Sequence, residues 1–411
     1  MRLLSISLLC FPIFLAGCSE VGGAAAAATI RDSAGVTIVE NTGPAWPDGL
    51  GWRVAEEPEF EIGGELDDPA YDLNQVRAAL RLSDGRVVVA DGETRELRFY
   101  DETGEHLATS GRQGGGPGEF QRIGFVWLGA ADTLWVYDFP SRRLSTLDAD
   151  GAYVDGIVLR SPGQLQFVVP AGRLSDGTLV APVFVFDTTA KSGIYRQPRP
   201  LLAYQADGTV SDTLGTFPGP ETYTTQLTFN NQTSPRPAQR PFALTTQVEI
   251  FRNQIFVGTN EAFEIQVYDE TGSLTRLIRT VHPREAVEPE DIAEFKRYRH
   301  ELMLDNSGNI PEQIREQFEQ QLEDAPYPDA FPYYTGIRTD TEGNLWVQGG
   351  KMRHQRDVYH YTVFDTTGQE LGQVTMPEQF TPMQLGADWV IGVWRDEDDL
   401  EYVRLYQLIK E

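Results

Sequence analysis

The chain has 411 residues and a formal net charge of −27, with 61 acidic against 34 basic residues. Apolar residues make up 40% of it, which is enough for a folded core and excludes a disordered chain. The acidic excess argues against nucleic acid as a partner, because binding to phosphates needs clustered cations.

The N-terminus has the pattern of a secretory signal. Arg2 precedes a mostly apolar run over residues 3–16, which is too short to span a bilayer well. The run ends in Leu-Ala-Gly-Cys at residues 15–18, which resembles the bacterial lipobox, in which the cysteine is acylated by fatty acids such as palmitate. The alternative is an ordinary signal peptide that contains a cysteine by chance.

The lipobox resemblance implies a signal peptide over residues 1–17, lipidation of Cys18 and a flexible tether over residues 18–34. Several acyl chains on one residue anchor a protein stably in a membrane. Ser19, not Asp, follows the cysteine, which favours the periplasmic side of the outer membrane. Cys10 leaves with the signal, so the mature chain has no free thiol and no disulfide.

One β-rich unit then recurs six times. It consists of a small turn, a β run, a second β run that ends in an aromatic residue and Asp, and a Gly turn. The turns fall at positions 85, 132, 177, 253, 343 and 388, so three spacings are 47, 45 and 45 residues. This period is typical of propeller blades, which need about 40–50 residues each.

The two wider spacings, of 76 and 90 residues, contain insertions. Residues 217–241 are rich in Pro and Thr and predict a long loop with one extra strand. Residues 288–324 carry apolar side chains at helical spacing and predict a helical hairpin. The domain therefore spans residues 35–411, with the helical insertion at 288–324.

These features predict an all-β fold: a six-bladed β-propeller with a helical-hairpin insertion. The last copy lacks about one strand, which residues 36–39 or 59–62 can supply, so that an N-terminal strand closes the last blade. The Gly-rich run at residues 111–120 resembles the connection between blades of NHL-type repeats. The chain as a whole resembles bacterial six-bladed propeller lipoproteins, most of them of unassigned function.

No motif for catalysis, metal or cofactor binding is found. The Gly-rich run has no following Gly-Lys-Ser/Thr, the five histidines lack ligand spacing, and Gly-x-Ser-x-Gly is absent. We therefore predict no catalytic residue, no bound metal and no cofactor. Residues 396–399 (Asp-Glu-Asp-Asp) fit a solvated hairpin tip better than a calcium loop.

Ligand-binding candidates are the charged and amide side chains in the loops expected to surround one mouth of the propeller. An arginine there could hold a carboxylate through two hydrogen bonds, although an ion pair between blades is the simpler interpretation. The candidates are Arg95, Arg142, Arg143, Asn260, Glu261, Lys351 and Arg353.

Three functions fit this sequence. The first is a membrane-anchored, non-catalytic scaffold in the cell envelope that binds an envelope protein or a small-molecule ligand. The second is a metal-dependent propeller hydrolase or lyase of the lactonase type, whose ligands would be scattered along the chain. The third is a structural subunit of an envelope complex. Fold alone does not choose among them.

The lipobox generates a direct test. Replacing the acceptor thiol in Cys18→Ala removes the site of acylation, so the variant should incorporate no radiolabelled palmitate in cells while the unaltered chain is labelled. Cys10→Ala is the matched control and should be labelled like the unaltered chain. Undiminished labelling of Cys18→Ala would refute the anchor.

Overall fold

The computed structural model describes residues 28–47, 49–163, 166–185, 193–229, 232–305, 312–351 and 358–410. The predicted signal peptide and Cys18 lie outside these residues. The described residues are mostly β-strand, arranged in six separate sheets, with two α-helices. Among the described residues, no helix combines the length and apolar character needed to cross a membrane.

Four short strands come first. They are β1 (Ala28–Ser33), β2 (Val36–Asn41), β3 (Trp52–Val54) and β4 (Phe60–Gly63). The predicted tether over residues 18–34 is therefore wrong in its last part, because residues 28–33 pair with β2 in an antiparallel hairpin. Thr29, Ile30 and Arg31 favour a strand once such a partner exists.

Sheets 1 and 2 are regular four-stranded antiparallel sheets. Sheet 1 consists of β5 (Val76–Arg81), β6 (Val87–Asp91), β7 (Glu96–Tyr100) and β8 (His106–Ser110). Sheet 2 consists of β9 (Ile123–Leu128), β10 (Leu134–Asp138), β11 (Arg143–Leu147) and β12 (Tyr153–Val158). The buried, β-branched and aromatic side chains of the inner strands suit coverage on both faces, whereas the edge strands β8 and β12 are largely exposed.

Sheet 3 is larger. It consists of β13 (Gln166–Val168), β14 (Gly172–Arg173), β15 (Leu179–Val185), β16 (Tyr195–Tyr204), β17 (Val210–Phe229) and β18 (Gln232–Gln239). The loop expected over residues 217–241 is instead an extended antiparallel ribbon of β17 and β18. Pro235 and Pro237 fit there because β18 is an edge strand, where a missing N–H disrupts no inner ladder.

The second half of the chain forms sheets 4, 5 and 6, with the two helices between sheets 4 and 5. Sheet 4 begins with β19 (Gln247–Phe251), β20 (Gln254–Gly258), β21 (Glu264–Tyr268) and β22 (Leu274–Thr280). The helices are α1 (Pro289–Asp305) and α2 (Glu312–Glu323). Sheet 5 consists of β23 (Tyr334–Thr339), β24 (Leu345–Gly349), β25 (His360–Phe364) and β26 (Glu370–Thr375), and sheet 6 begins with β27 (Phe380–Leu385), β28 (Trp389–Arg395) and β29 (Glu401–Lys410).

Aspartate–glycine turns join the last two strands of the regular sheets. Asp101, for example, accepts hydrogen bonds from the hydroxyl of Thr103 and from the backbone N–H groups of Glu105 and Thr103, and these bonds lower its pKa. The same turn recurs at Asp148, Asp207, Asp269 and Asp365, and each contains a glycine with a φ between 78° and 93°. Only glycine adopts this φ at no steric cost, so the sequence predicted these turns correctly.

Six hydrophobic clusters hold the sheets together, and each contains side chains from two consecutive sheets. The pairs of sheets, with one residue from each, are sheets 1 and 2 (Val88, Val136), 2 and 3 (Leu144, Val183), 3 and 4 (Val180, Val257), 4 and 5 (Val267, Val347), 5 and 6 (Val363, Val390), and 6 and 1 (Val403, Val89). The last pair returns to the first sheet. This closed succession of antiparallel sheets is the architecture of a β-propeller.

The N-terminal residues 28–63, which we call the strap, cross the outside of three sheets. Strand β2 pairs in parallel with β22 at the outer edge of sheet 4. Backbone N–H groups of Ala45 and Trp46 then bond to carbonyls of β26 in sheet 5. Strands β3 and β4 finally pair with β29 and complete sheet 6. Of the two segments expected to close the last sheet, residues 59–62 do so and residues 36–39 lie on sheet 4.

Asn41 fastens the strap between sheets 4 and 5. It is 1% exposed, and its side-chain N–H₂ donates to the carbonyls of Arg279 and Gly368 at 3.0 Å each. Its side-chain oxygen accepts from the N–H of Glu370 at 2.9 Å. The full set of hydrogen bonds offsets the cost of burying this amide.

Asn41→Ala should lower the free energy of unfolding by about 2–4 kcal/mol, because it leaves buried backbone groups without partners. Ser33→Ala, at an exposed position of β1, is the control and should change it by less than about 0.5 kcal/mol. Urea denaturation of both variants measures the difference. Equal stability of the two would show that the strap does not contribute through Asn41.

Candidate functional site

Both insertions emerge from the same end of the sheets. We call it the loop end, because the described loops between second and third strands, such as residues 92–95 and 139–142, lie there. Tyr195, the first residue of β16, pairs with Thr222, so the rest of β17 extends past this end. The helical segment leaves from Thr280, the last residue of β22, and returns at Tyr334 opposite Gly349, the last residue of β24.

The two insertions pack on each other and form one unit, which we call the cap. It comprises the described parts of residues 222–242 and 289–331. The side-chain amide of Gln317 in α2 accepts from the N–H of Thr228 at 2.7 Å and donates to its carbonyl at 2.9 Å. Phe242 contacts the rings of Phe295 and Phe331, with centroids 5.1 and 4.8 Å away. The hydrogen bonds of Gln317 and the edge-on and tilted ring contacts of Phe242 hold the two insertions together.

Buried ion pairs attach the cap to the sheets. Arg240 in the cap contacts the carboxylate of Glu221 at 3.2 Å and donates to the Pro326 carbonyl at 2.6 Å. Lys351, a predicted ligand-binding residue, lies 3.2 Å from the carboxylate of Asp291 in the first turn of α1. That carboxylate is almost fully buried, so Lys351 stabilises the position of the helix.

Asn260 is an internal residue and does not face a ligand site. It is 0% exposed, its side-chain oxygen accepts from the N–H of Thr245 at 2.9 Å, and its N–H₂ donates to the Tyr334 carbonyl at 3.0 Å. Asp91 and Asp138 bond in the same way to N–H groups ahead of their own first strands. The recurring Asp or Asn after the second strand is therefore a structural signature of the repeat.

Glu261 is exposed at the loop end, and its carboxylate lies 3.6 Å from Nη1 of Arg196. Arg196 also donates to the Gly219 carbonyl at 2.7 Å, and its pKa is lowered by burial. This pair joins sheet 3 to sheet 4. Sequence reasoning selected Glu261 but missed Arg196, because the contact depends on the register of β16.

Arg95 and Arg142 occupy equivalent positions just before the third strands of sheets 1 and 2. Both have a left-handed backbone, with φ of 62° and 53°. Arg142 is exposed and donates to the hydroxyl of Ser161 at 2.9 Å, whereas Arg95 donates to carbonyls of its own loop and of Gln121. The structure thus brings these two candidates to the same end of adjacent sheets.

Arg143 supports the Gly-rich run and is directed away from solvent. It donates to the carbonyls of Gly115 and Glu119. Arg112 and Glu119 form an ion pair within the same loop. The run at residues 111–120 is therefore a connection between sheets, as predicted, and Arg143 is one of its supports. Arg353, the last candidate, lies outside the described residues.

First strands of neighbouring sheets contact one another: β5 contacts β9 and β27, and β19 contacts β23. Between β19 and β23, Glu249 accepts hydrogen bonds from the hydroxyl and the N–H of Thr339 at 2.9 and 3.1 Å. Burial raises the pKa of Glu249 to about 7, while Thr339 and the charge of Arg338 oppose the rise. Among the described residues, no group of three or more His, Cys, Asp or Glu could hold a metal ion.

Comparison with known proteins gives the fold alone. No protein-family model and no curated protein matches the chain. A member of the DUF4221 family from Bacteroides vulgatus superposes with a TM-score of 0.50 at 9% identity, covering 88% of this chain and 99% of its own. A protein from Bacteroides fragilis described as exported gives 0.48 at 11% identity over 90% and 98%, and the virginiamycin B lyase of Staphylococcus aureus gives 0.40 at 7% over 87% and 100%.

Glu249 makes stability depend on pH. A carboxyl whose pKa is raised by folding stabilises the folded state below its unfolded pKa of 4.5, and this contribution is lost as pH rises towards 7. Between pH 5 and pH 8 the unaltered chain should therefore lose about 2–3 kcal/mol of unfolding free energy through this carboxyl group. Glu249→Gln should not show this loss.

Urea denaturation at the two pH values measures this effect, with Glu102→Gln, at an exposed turn, as the control. The Glu102 variant should keep the pH dependence of the unaltered chain. If Glu249→Gln kept the pH dependence of the unaltered chain, the raised pKa of Glu249 would be contradicted.

Proposed function

We propose that this protein is a lipid-anchored, six-bladed β-propeller of the cell envelope that acts as a binding scaffold. Its N-terminal sequence supports export and acylation at Cys18, with the periplasmic side of the outer membrane as its location. In this proposal the loop end, which bears the cap, is the binding face. The binding partner is an envelope protein or a small-molecule ligand.

The six-bladed interpretation rests on the closed set of contacts. Each sheet shares a hydrophobic cluster with the next, and sheet 6 shares one with sheet 1. Strands β3 and β4 together occupy the fourth strand position of sheet 6. Each of the six sheets therefore has at least four strand positions side by side. In the proposed blade order, the helical segment at residues 288–324 is an insertion between the fourth and fifth blades.

The scaffold interpretation is carried by one observation: both large insertions lie at the loop end and are fixed there by ion pairs and hydrogen bonds. A ring of packed sheets positions such loops rigidly, and function is commonly found on loops held by a rigid scaffold. The opposite end carries short aspartate–glycine turns, whose carboxylates are occupied by their own backbones. The acidic chain favours a partner surface that is basic or uncharged.

Photocrosslinking in intact cells tests the protein-binding form of this proposal. A photoreactive phenylalanine analogue replaces Arg297, which is exposed on α1, in one strain and Glu270, in the turn at the opposite end of sheet 4, in another. We expect one adduct of fixed mass from position 297 and none from position 270. Adducts from position 270 alone, or equal adducts from both positions, would contradict the choice of face.

A further inference from the structure

A pocket lies between sheets 3 and 4. Its cavity volume is about 40 Å³, and it opens to solvent. Its walls are mostly apolar, with Pro182 and Phe184 of β15, Phe217 of β17 and Val248 of β19, and Arg199 of β16 is its charged group. Pockets for small ligands have this composition: apolar walls and few polar groups.

Arg199 lies over the ring of Phe184. Its guanidinium carbon is 4.2 Å from the centroid of Phe184, and that ring stacks on Phe167 at 5.0 Å. Contact with this ring restricts the motion of the guanidinium. An arginine held in this way loses little further freedom when it binds a planar anion.

No hydrogen bond or ion pair to Arg199 is found within the described part of the chain. Burial lowers its pKa to about 10, so it is still charged at neutral pH. Its neighbour Arg196, three residues earlier on the same strand, lies beside Glu261 instead. A half-buried charge without a counterion is costly, and an anion that enters the pocket removes part of that cost.

Gly219 keeps the floor of the pocket open beside this arginine. A Cβ atom there would lie 2.5 Å from the Gln197 carbonyl oxygen and 3.0 Å from Nε of Arg199. The Gly219 carbonyl is occupied by Arg196, at 2.7 Å, which holds this part of β17 in place. The absence of a side chain therefore leaves room for Arg199 within a fixed backbone.

We infer that this pocket binds a small carboxylic acid with an apolar body. The carboxylate pairs with the guanidinium of Arg199, and the apolar body packs against Phe184, Phe217 and Val248. A single planar fork matches a carboxylate, whereas apolar walls offer nothing to the remaining oxygens of a phosphate. This inference rests on the proposed function, since it gives the scaffold a class of ligand.

Ligand binding to the full chain, purified in detergent, tests the inference with three probes: phenylacetate, phenylacetamide and inorganic phosphate. Isothermal titration and saturation-transfer NMR measure their affinities. We expect saturable binding of phenylacetate with a Kd below about 5 mM, and binding of the neutral amide and of phosphate at least about tenfold weaker. This comparison uses the unaltered chain, so it does not depend on any variant folding.

Arg199→Gln should weaken binding of phenylacetate at least about tenfold and leave the weak binding of the amide unchanged. The matched control is Arg173→Gln, because Arg173 is also a half-buried arginine stacked on a ring, 4.9 Å from the centroid of Trp135, but lies outside the pocket. The control should bind phenylacetate like the unaltered chain.

Three results would overturn the inference: equal binding of the acid and the amide, unchanged binding by Arg199→Gln, or no saturable binding of phenylacetate up to about 10 mM. If phosphate bound as tightly as phenylacetate, the proposed role of the apolar walls would be contradicted. The measurement needs neither the membrane nor a partner protein. Failure here therefore leaves the crosslinking result, and the proposed binding face, untouched.

Discussion

The structure depends on burial of apolar surface between neighbouring sheets. Each sheet is apolar on both faces, so no sheet in this chain can bury its side chains alone. Each fully buried Val, Leu or Phe contributes about 1.5–3 kcal/mol, and the six clusters distribute this gain around the whole ring. Sheet 1 is covered on its second face only because sheet 6 returns to it, so the two ends of the chain must meet.

Sequence alone was sufficient for the features that repeat. The aspartate–glycine turns, the alternation of apolar runs and the period of about 45 residues are local properties, and each predicted a sheet in the right place. The two helices were also predicted closely, from Pro289 at the start of α1 and from the apolar stripe of α2. Local signals of this kind do not depend on which sheet lies alongside.

Features that depend on distant partners could not be predicted. Nothing local distinguishes residues 36–39 from residues 59–62 as the closing strand, because both are short, alternating and apolar. Residues 217–241 were expected to form a long loop with one extra strand, because prolines and threonines are typical of loops. The pairing of β17 with β18 is not visible in the local sequence. Asn260, Arg143 and Lys351 were selected as charged or polar loop residues, yet each is bound to backbone or to a buried carboxylate from another element. Arg199 carried no sequence signal, because its pocket is formed by four strands from two sheets.

The position of the strap determines how the proposed anchor would transmit force to the fold. Nine residues separate Cys18 from Ala28, and an extended chain of that length reaches about 30 Å at most. Acylation at Cys18 would therefore hold the outer edge of sheet 4 within that distance of the bilayer. A pull on the lipid would load the β1–β2 hairpin first and Asn41 next, before it reached the sheet that seals the ring. The proposed anchor and the closure of the fold would thus share one stretch of polypeptide, and tension from the membrane would be borne first by its outermost hydrogen bonds.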